Sequence, residues 1–354
     1  LSKVKGIGFK RDGDAILNSP EMVVPSERMD IDLPGYAWDL LPMKLRPLDM
    51  YRAHFWHVGF NHTKRTPFAA IYTSLGCRYG CDFCMINIIN RVDNDSEVSA
   101  ASSKGMRFWS SDFVIRELQN LAALGVTNVR LSDEMFFLDR RYFEPIISSN
   151  DVHELGLNMW AYARVDTVRE KYLENFRKSG INWLALGIES GNQLVRKEVS
   201  KGTFKDVNIR SVCKSIRDSG INVISNYIFG FPDEGFDEMN ETLSLAIELN
   251  TEMANIYACQ ALPGSPLYNL ARKQGWALPD SFDGYGFLSY ECQPLPTKYL
   301  TAAEVLKFRD EAWSTYFSNP KYLDLVEIKF GSEERKNLES MATLKLKRRL
   351  LGDL

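Results

Sequence analysis

Thr73-Ser74-Leu75-Gly76-Cys77-Arg78-Tyr79-Gly80-Cys81-Asp82-Phe83-Cys84 places three cysteines within eight positions, at the spacing C-x3-C-x2-C. The stretch follows an apolar run, 68–74, that reads as a β-strand. Three thiolates on one tight loop can hold three irons of a cubane [4Fe–4S] cluster and leave the fourth iron open for a small molecule. Gly76 and Gly80 let such a loop wrap closely, because glycine accepts backbone conformations that other residues resist. Zinc is the competing reading. Structural zinc sites are closed by four ligands, and no fourth Cys or His stands near in sequence.

Downstream of this loop, short β-type runs alternate with helix-length segments, the pattern of parallel βαβ units. The strands are expected at 68–74, 128–132, 157–164, 183–188, 223–229 and 253–260. Amphipathic helices are expected at about 111–124, 140–149, 168–179, 204–219 and 235–249. Leu124-Gly125-Val126, Ser179-Gly180-Ile181 and Ser219-Gly220-Ile221 each end a helix and lead into a strand. Six such units predict an α/β fold, a partial (β/α)6 parallel TIM-like barrel. Chemistry in such barrels collects at the C-terminal ends of the strands.

The expected division is a connector over 1–66, the barrel over 67–270, and a mainly helical C-terminal extension over 271–354. In the connector, Arg11-Asp12-Gly13-Asp14 reads as a hairpin turn, followed by a stretch punctuated by five prolines from Pro20 to Pro47.

The 354 residues carry a net charge of −3, so the whole chain shows no electrostatic footprint for nucleic acid. The basic run Lys345-Leu346-Lys347-Arg348-Arg349 reads as a solvated helix end. No apolar run approaches the ~20 residues that span a bilayer, and no signal peptide is visible. Six cysteines, half of them clustered, point to metal or redox work in the cytoplasm rather than to disulfides.

The cysteine triplet, with aromatic Phe83 before its last member, resembles the radical S-adenosylmethionine (SAM) superfamily. That resemblance implies a cluster on Cys77, Cys81 and Cys84, whose open iron is chelated by SAM and whose electron cleaves SAM to a 5′-deoxyadenosyl radical. It implies Phe83 beside the adenine. Further motifs fall in family order on successive strand ends. Leu131-Ser132-Asp133-Glu134 implies Glu134 near the methionine amino group, and Ala163-Arg164-Val165-Asp166 implies Arg164 near its carboxylate. Gly187-Ile188-Glu189-Ser190-Gly191 implies Glu189 and Ser190 near the ribose. Phe229-Gly230-Phe231-Pro232-Asp233-Glu234 resembles the family's Gly-x-Pro-x-Glu stretch, which brings Gly230 to the cofactor. Leu262 to Tyr268 resembles a Pro-Gly-Ser-Pro-Leu-Tyr segment. Buried ion pairing or helix capping is the alternative for Glu134, Arg164 and Glu189.

Arg11-Asp12-Gly13 and Asp32-Leu33-Pro34 resemble the connector of the cobalamin-dependent branch, in which a cobalamin-binding domain comes first. The start at Leu1 fits a chain that begins after such a domain. The resemblance implies methylation of an unactivated carbon, with radical cyclisation or rearrangement as the runner-up and a non-enzymatic iron–sulfur sensor or scaffold as the outsider. The partners implied are a small-molecule or peptide substrate and a one-electron donor such as flavodoxin or ferredoxin. A tRNA-methylthiolating enzyme would want a basic C-terminal β-barrel, whereas this C-terminal part reads as helical.

Four other features read as structural. Asp151-Val152-His153-Glu154-Leu155-Gly156 spells the D-x-H-x-x-G pattern that supplies a histidine to cobalt, but it sits between a helix and a strand of the barrel. His54, His57 and His62 read as packed among aromatics rather than as metal ligands. Cys213, Cys259 and Cys292 read as buried thiols, with Cys259 at the end of the sixth strand the one to watch. Trp160, Tyr162, Tyr227 and Tyr257 read as barrel core.

Overall fold

The computed structural model describes residues 1–19, 21, 23–41, 56–57, 66–90, 104–200 and 202–354. The strands are β1 (Gly8–Arg11), β2 (Asp14–Leu17), β3 (Phe68–Ile71), β4 (Ser74–Cys77), β5 (Gly105–Phe108), β6 (Asn128–Leu131), β7 (Asn158–Arg164), β8 (Ile181–Glu189), β9 (Asn222–Phe229) and β10 (Met253–Ala258). The helices are α1 (Met29–Asp32), α2 (Ser111–Ala123), α3 (Arg140–Ile147), α4 (Asn150–Glu154), α5 (Leu173–Lys178), α6 (Gln193–Val199), α7 (Ile209–Asp218), α8 (Phe236–Leu249), α9 (Pro266–Gln274), α10 (Ala302–Phe317), α11 (Pro320–Phe330) and α12 (Ser332–Ala342).

Six strands pair in the order β10-β9-β8-β7-β6-β3, all parallel. This is the expected partial TIM-like barrel. Alternation sorts each strand's side chains to two faces. Val129, Leu131, Met159, Ala161, Ala163, Leu184 and Leu186 turn outward and join the main core beneath the helices. Trp160, Trp183, Ala185 and Ile224 turn inward and, with Trp56, close the floor of the lumen.

The first strand is shorter than expected. It ends at Ile71, and Ser74–Cys77 leaves the sheet to pair antiparallel with β5. The physical reason lies in Asp133. Its buried carboxylate accepts bonds from the Thr73 N–H (2.6 Å), the Thr73 hydroxyl (2.6 Å) and the Ser74 hydroxyl (2.7 Å), which pulls the chain out of register with β6. The helix expected at 140–149 is α3, which ends at Ile147, and after Ser148-Ser149 a second short helix, α4, follows that was not expected. The helix expected from 204 starts at Ile209, where the Asn208 side chain caps it. Helix α6, capped by Asn192, lies where no helix was expected.

The connector carries the expected hairpin, with Asp12 and Gly13 both at positive φ as a two-residue turn requires. It docks on the barrel rim. Trp109 donates to the Leu33 carbonyl (2.7 Å), Arg107 to Val24 (2.7 Å), and the Ser110 N–H to Asp30 (2.8 Å). The C-terminal part is helical. Helix α10 lies along β10, where Arg309 donates to the Ile256 carbonyl (2.8 Å) and Tyr316 to Thr251 (2.9 Å). The border expected at 270/271 falls inside α9.

The basic tail needs correction. Helix α12 stops at Ala342, and Arg348 is fully buried rather than solvated. Its guanidinium grips Asp310 through two 2.9 Å bonds and donates to the Ser289 carbonyl. A buried arginine requires such a partner. No helix among the described residues is long and apolar enough to cross a membrane.

Candidate active site

The cysteine loop is pinned on both flanks. The Cys77 N–H donates to the Asn87 side chain (2.9 Å), which in turn donates to the Tyr79 carbonyl (2.8 Å). The Asp82 N–H bonds the Val199 carbonyl at the end of α6, and the Leu267 N–H at the start of α9 bonds the Asp82 carbonyl. Gly76 has φ +88°, and a Cβ there would strike the Gly105 carbonyl oxygen at 2.5 Å. Gly80 is not left-handed; its missing side chain makes room for Lys104.

Cys77, Cys81 and Cys84 are free thiols set at the mouth of the barrel. Burial pushes Cys77 and Cys84 up to about 11 and Cys81 up to about 12. The acidic neighbours add to this: Glu134 acts on Cys77 and Cys84, and Glu189 on Cys81 and Cys84, while Arg164 beside Cys81 opposes them. Three buried thiols among carboxylates stay protonated without a compensating cation, and a coordinated metal supplies that charge outright. Among the described residues, no three His, Cys, Asp or Glu side chains converge on a point as a single ion demands. Three thiols on one loop are the donor set that can hold three irons of an iron–sulfur cluster.

Glu134 follows β6. Burial, with Asp133 next to it, pushes its carboxyl up to about 7, and its Oε2 is buried without a hydrogen-bond partner. Arg164 ends β7 and is the ion-paired case. It grips Asp166 (2.6 and 2.8 Å), donates to the Thr203 carbonyl (2.8 Å), and lies 3.7 Å from the Tyr79 ring centroid. Glu189 ends β8 in a left-handed conformation, φ +66°, where the pairing with β9 slips. Strain of this kind in a non-glycine residue clusters at functional sites. Burial pushes its carboxyl up to about 7 against the pull of Arg164. A Cβ at Gly187 would meet the Glu189 carboxylate at 2.4 Å.

Ser190 is fully buried, and its hydroxyl bonds Glu234 (3.0 Å) and Thr242 (3.1 Å), so it braces the strand end from behind. Gly230 ends β9; its N–H donates to Glu234 (2.9 Å), and it packs against Val305. The Phe83 ring lies 5.5 Å from Phe231 and lines a cavity of about 110 Å³ with Val195, Val199 and Leu267. Asn87, Asp133, Asp166 and Tyr79, which hold this arrangement together, were not singled out from sequence. Asp133 and Asp166 carried one available signal, an acidic residue two positions beyond a strand end.

The remaining features are packed. His57 is buried against Trp56 and Phe68, with Nδ1 2.6 Å from the Thr66 hydroxyl; His54 and His62 lie outside the described residues. His153 in α4 is bonded through Nε2 to the Ile147 carbonyl (2.8 Å). Cys213, Cys259 and Cys292 are buried, Cys259 among Val195, Phe231 and Leu295. Tyr227 and Trp160 are buried, whereas Tyr162 and Tyr257 reach solvent-accessible space.

An uncharacterized methyltransferase of Pyrococcus horikoshii is 25% identical over 91% of this chain and 63% of its own length. An anaerobic magnesium-protoporphyrin IX monomethyl ester cyclase of Rubrivivax gelatinosus is 27% identical over 54% of this chain and 33% of its own length. The chain thus spans less than two thirds of either relative. Among solved structures, the cobalamin-dependent SAM radical enzyme OxsB shares the fold with a TM-score of 0.58 and 16% identity, over 97% of this chain and 51% of that one. A family model matches the sheet from β3 to α8, and residues 71–246 are a domain of the Radical SAM superfamily.

Proposed function

We propose that this chain is the radical SAM part of a cobalamin-dependent methyltransferase acting on an unactivated carbon. One observation carries the SAM reading: three free thiols, Cys77 buried and Cys81 and Cys84 half-buried, meet two desolvated carboxyls and one arginine at the strand ends. The relatives' names and the fold shared with OxsB support the cobalamin part.

In this reading Cys77, Cys81 and Cys84 hold a [4Fe–4S] cluster. When bound, the cluster and SAM supply reductive cleavage to a 5′-deoxyadenosyl radical, with the electron coming from a flavodoxin- or ferredoxin-type donor. Glu134, with an unpaired buried oxygen, receives the methionine ammonium. Arg164, held in plane by Asp166 and Thr203, gives the one N–H left on Nη1 to the methionine carboxylate. Glu189 takes the ribose hydroxyls. Phe83 walls the adenine side. Ser190 and Gly230 act behind these contacts by fixing the strand ends. Burial of the whole set excludes water from a reactive intermediate.

The test is anaerobic reconstitution followed by assay for 5′-deoxyadenosine with reductant present. A protein that shows the cluster's absorption but never forms 5′-deoxyadenosine is a sensor or scaffold, and the proposal falls. Cobalamin use is tested with methyl-deuterated SAM: label must reach product only when cobalamin is supplied. Substrate turnover indifferent to cobalamin would favour the second reading, a radical cyclase, which the Rubrivivax relative's name supports.

A further inference from the structure

Between the aromatic floor and the cysteine mouth, the lumen of the barrel holds one arginine unlike the other deeply set ones. Arg164, Arg309 and Arg348 each grip a carboxylate. Arg196 is satisfied by the carbonyls of Ser190 and Gly191. Arg130, on the inward face of β6, has neither. Its single hydrogen bond goes to the Tyr162 hydroxyl, and its Nε is buried without a partner. Two rings lie to one side of the guanidinium: Cζ is 5.1 Å from the Trp160 ring centroid and 5.2 Å from that of Tyr162, and the two rings are 5.7 Å apart.

Val129 and Leu131, on either side, turn to the helix side, so Arg130 faces the lumen. Tyr162 and Tyr257 lie close enough to Arg130 for its charge to act on their hydroxyls, and Tyr257 lies close enough to Glu189 to feel that carboxyl as well. Asn255 donates to Asn226 (2.8 Å), which donates to the Leu186 carbonyl, leaving the Asn255 carboxamide oxygen without a bond among the described residues. Arg130, Tyr162, Asn226, Asn255 and Tyr257 all retain solvent-accessible surface. A buried N–H of a cation is costly to leave without an acceptor, and Nε of Arg130 is such a group. Arg130 has five N–H donors in a planar fork, of which the protein uses one. The rings on one side attract the cation without using its other N–H groups, which stay available to a planar or tetrahedral oxyanion.

We propose that Arg130 is the anchor for an oxyanion, a carboxylate or a phosphate, carried by the substrate in the lumen. Asn255 and Tyr257 offer polar contacts to the rest of that molecule, and the proposal rests on the lumen being the substrate chamber of the reading above. A neutral apolar substrate would leave the charge unmatched at the centre of the site.

The test reads binding, not turnover. Melting midpoints of the purified full chain are followed at constant ionic strength against inorganic phosphate, benzoate, and benzyl alcohol as the neutral counterpart of benzoate. One oxyanion should raise the midpoint saturably while benzyl alcohol does not; which oxyanion does so separates the phosphate source from the carboxylate. Arg130→Gln should weaken that binding by about 10- to 100-fold, the cost of losing a hydrogen bond to a charged group. Arg130→Lys, which keeps the charge but loses the fork, should also weaken it and carries the test should the glutamine variant not fold. Absence of oxyanion binding in the wild type, or equal affinity in wild type and variant, overturns the proposal. Formation of 5′-deoxyadenosine by the wild type is measured separately, so loss of the SAM reading and loss of the anion seat are distinct results.

Discussion

The two ends of the barrel lumen are built on opposite terms. At the floor, Trp56, Trp160 and Trp183 pack with Ala185 and Ile224; the rings of Trp56 and Trp160 meet edge-on at 5.4 Å, and Trp183 stacks on Phe330 of α11 at 5.7 Å. At the mouth, cysteines and carboxyls are buried with little to balance them. Burial at the floor removes apolar surface from water and stabilises; burial at the mouth desolvates ionisable groups and destabilises. The same sheet supports both because its strands are continuous from one end to the other. This division of labour is the barrel rule that the N-terminal end carries stability and the C-terminal end chemistry.

The comparison is broken most directly by exchanging the consequences. Cys81→Ala removes one of the three thiols at the mouth and nothing from the core. It should abolish iron–sulfur absorption and 5′-deoxyadenosine formation while leaving the melting midpoint of the cluster-free chain nearly unchanged. A large loss of stability would mean that the loop is part of the core after all. Trp183→Ala does the reverse. It opens a cavity beneath Phe330 and should cost about 3–5 kcal/mol of stability. Denaturant unfolding checks the loss, and cluster incorporation at low temperature should survive. A floor variant that folds with wild-type stability yet binds no cluster would dissolve the distinction.

Legibility in sequence followed the range of the interactions. Strands β7 to β10 could be read because each is a short apolar run preceded by a helix and a left-handed stop, at Gly156, Gly180, Gly220 and Asn250, all within one stretch of chain. The three cysteines could be read for the same reason. The β4–β5 hairpin could not, because Gly105–Phe108 is only four residues long and gains its identity from a distant partner. Arg164 was visible as a strand-end residue, but its clamp is made by Thr203 and Tyr79, far along the chain. Arg348 sat in a basic run that looks solvated; only the fold brings Asp310 to it. The isolation of Arg130 was likewise invisible, since it is a property of what does not surround it.

The smallest prediction concerns a carboxyl behind the mouth rather than in it. Glu234 accepts bonds from the N–H groups of Gly230 (2.9 Å) and Phe231 (3.0 Å) and from the Ser190 hydroxyl (3.0 Å), and so joins the ends of β8 and β9. Burial outweighs these three donors and pushes its carboxyl up to about 7. The folded protein then holds a proton that the unfolded chain has already released, so stability falls as pH rises from about 4.5 to about 7 and levels off above. The contribution is at most about 3 kcal/mol, since each tenfold change in proton affinity between the folded and unfolded chain is worth about 1.4 kcal/mol. Glu234→Gln keeps an acceptor oxygen and has no charge to desolvate. It should flatten the pH dependence of the unfolding free energy over that window, with little change at the acid end. An unchanged slope would mean that the three donors hold Glu234 ionised throughout. The brace behind the mouth would then be balanced like the ion pairs elsewhere, and the contrast with the floor would be confined to the residues that face the lumen.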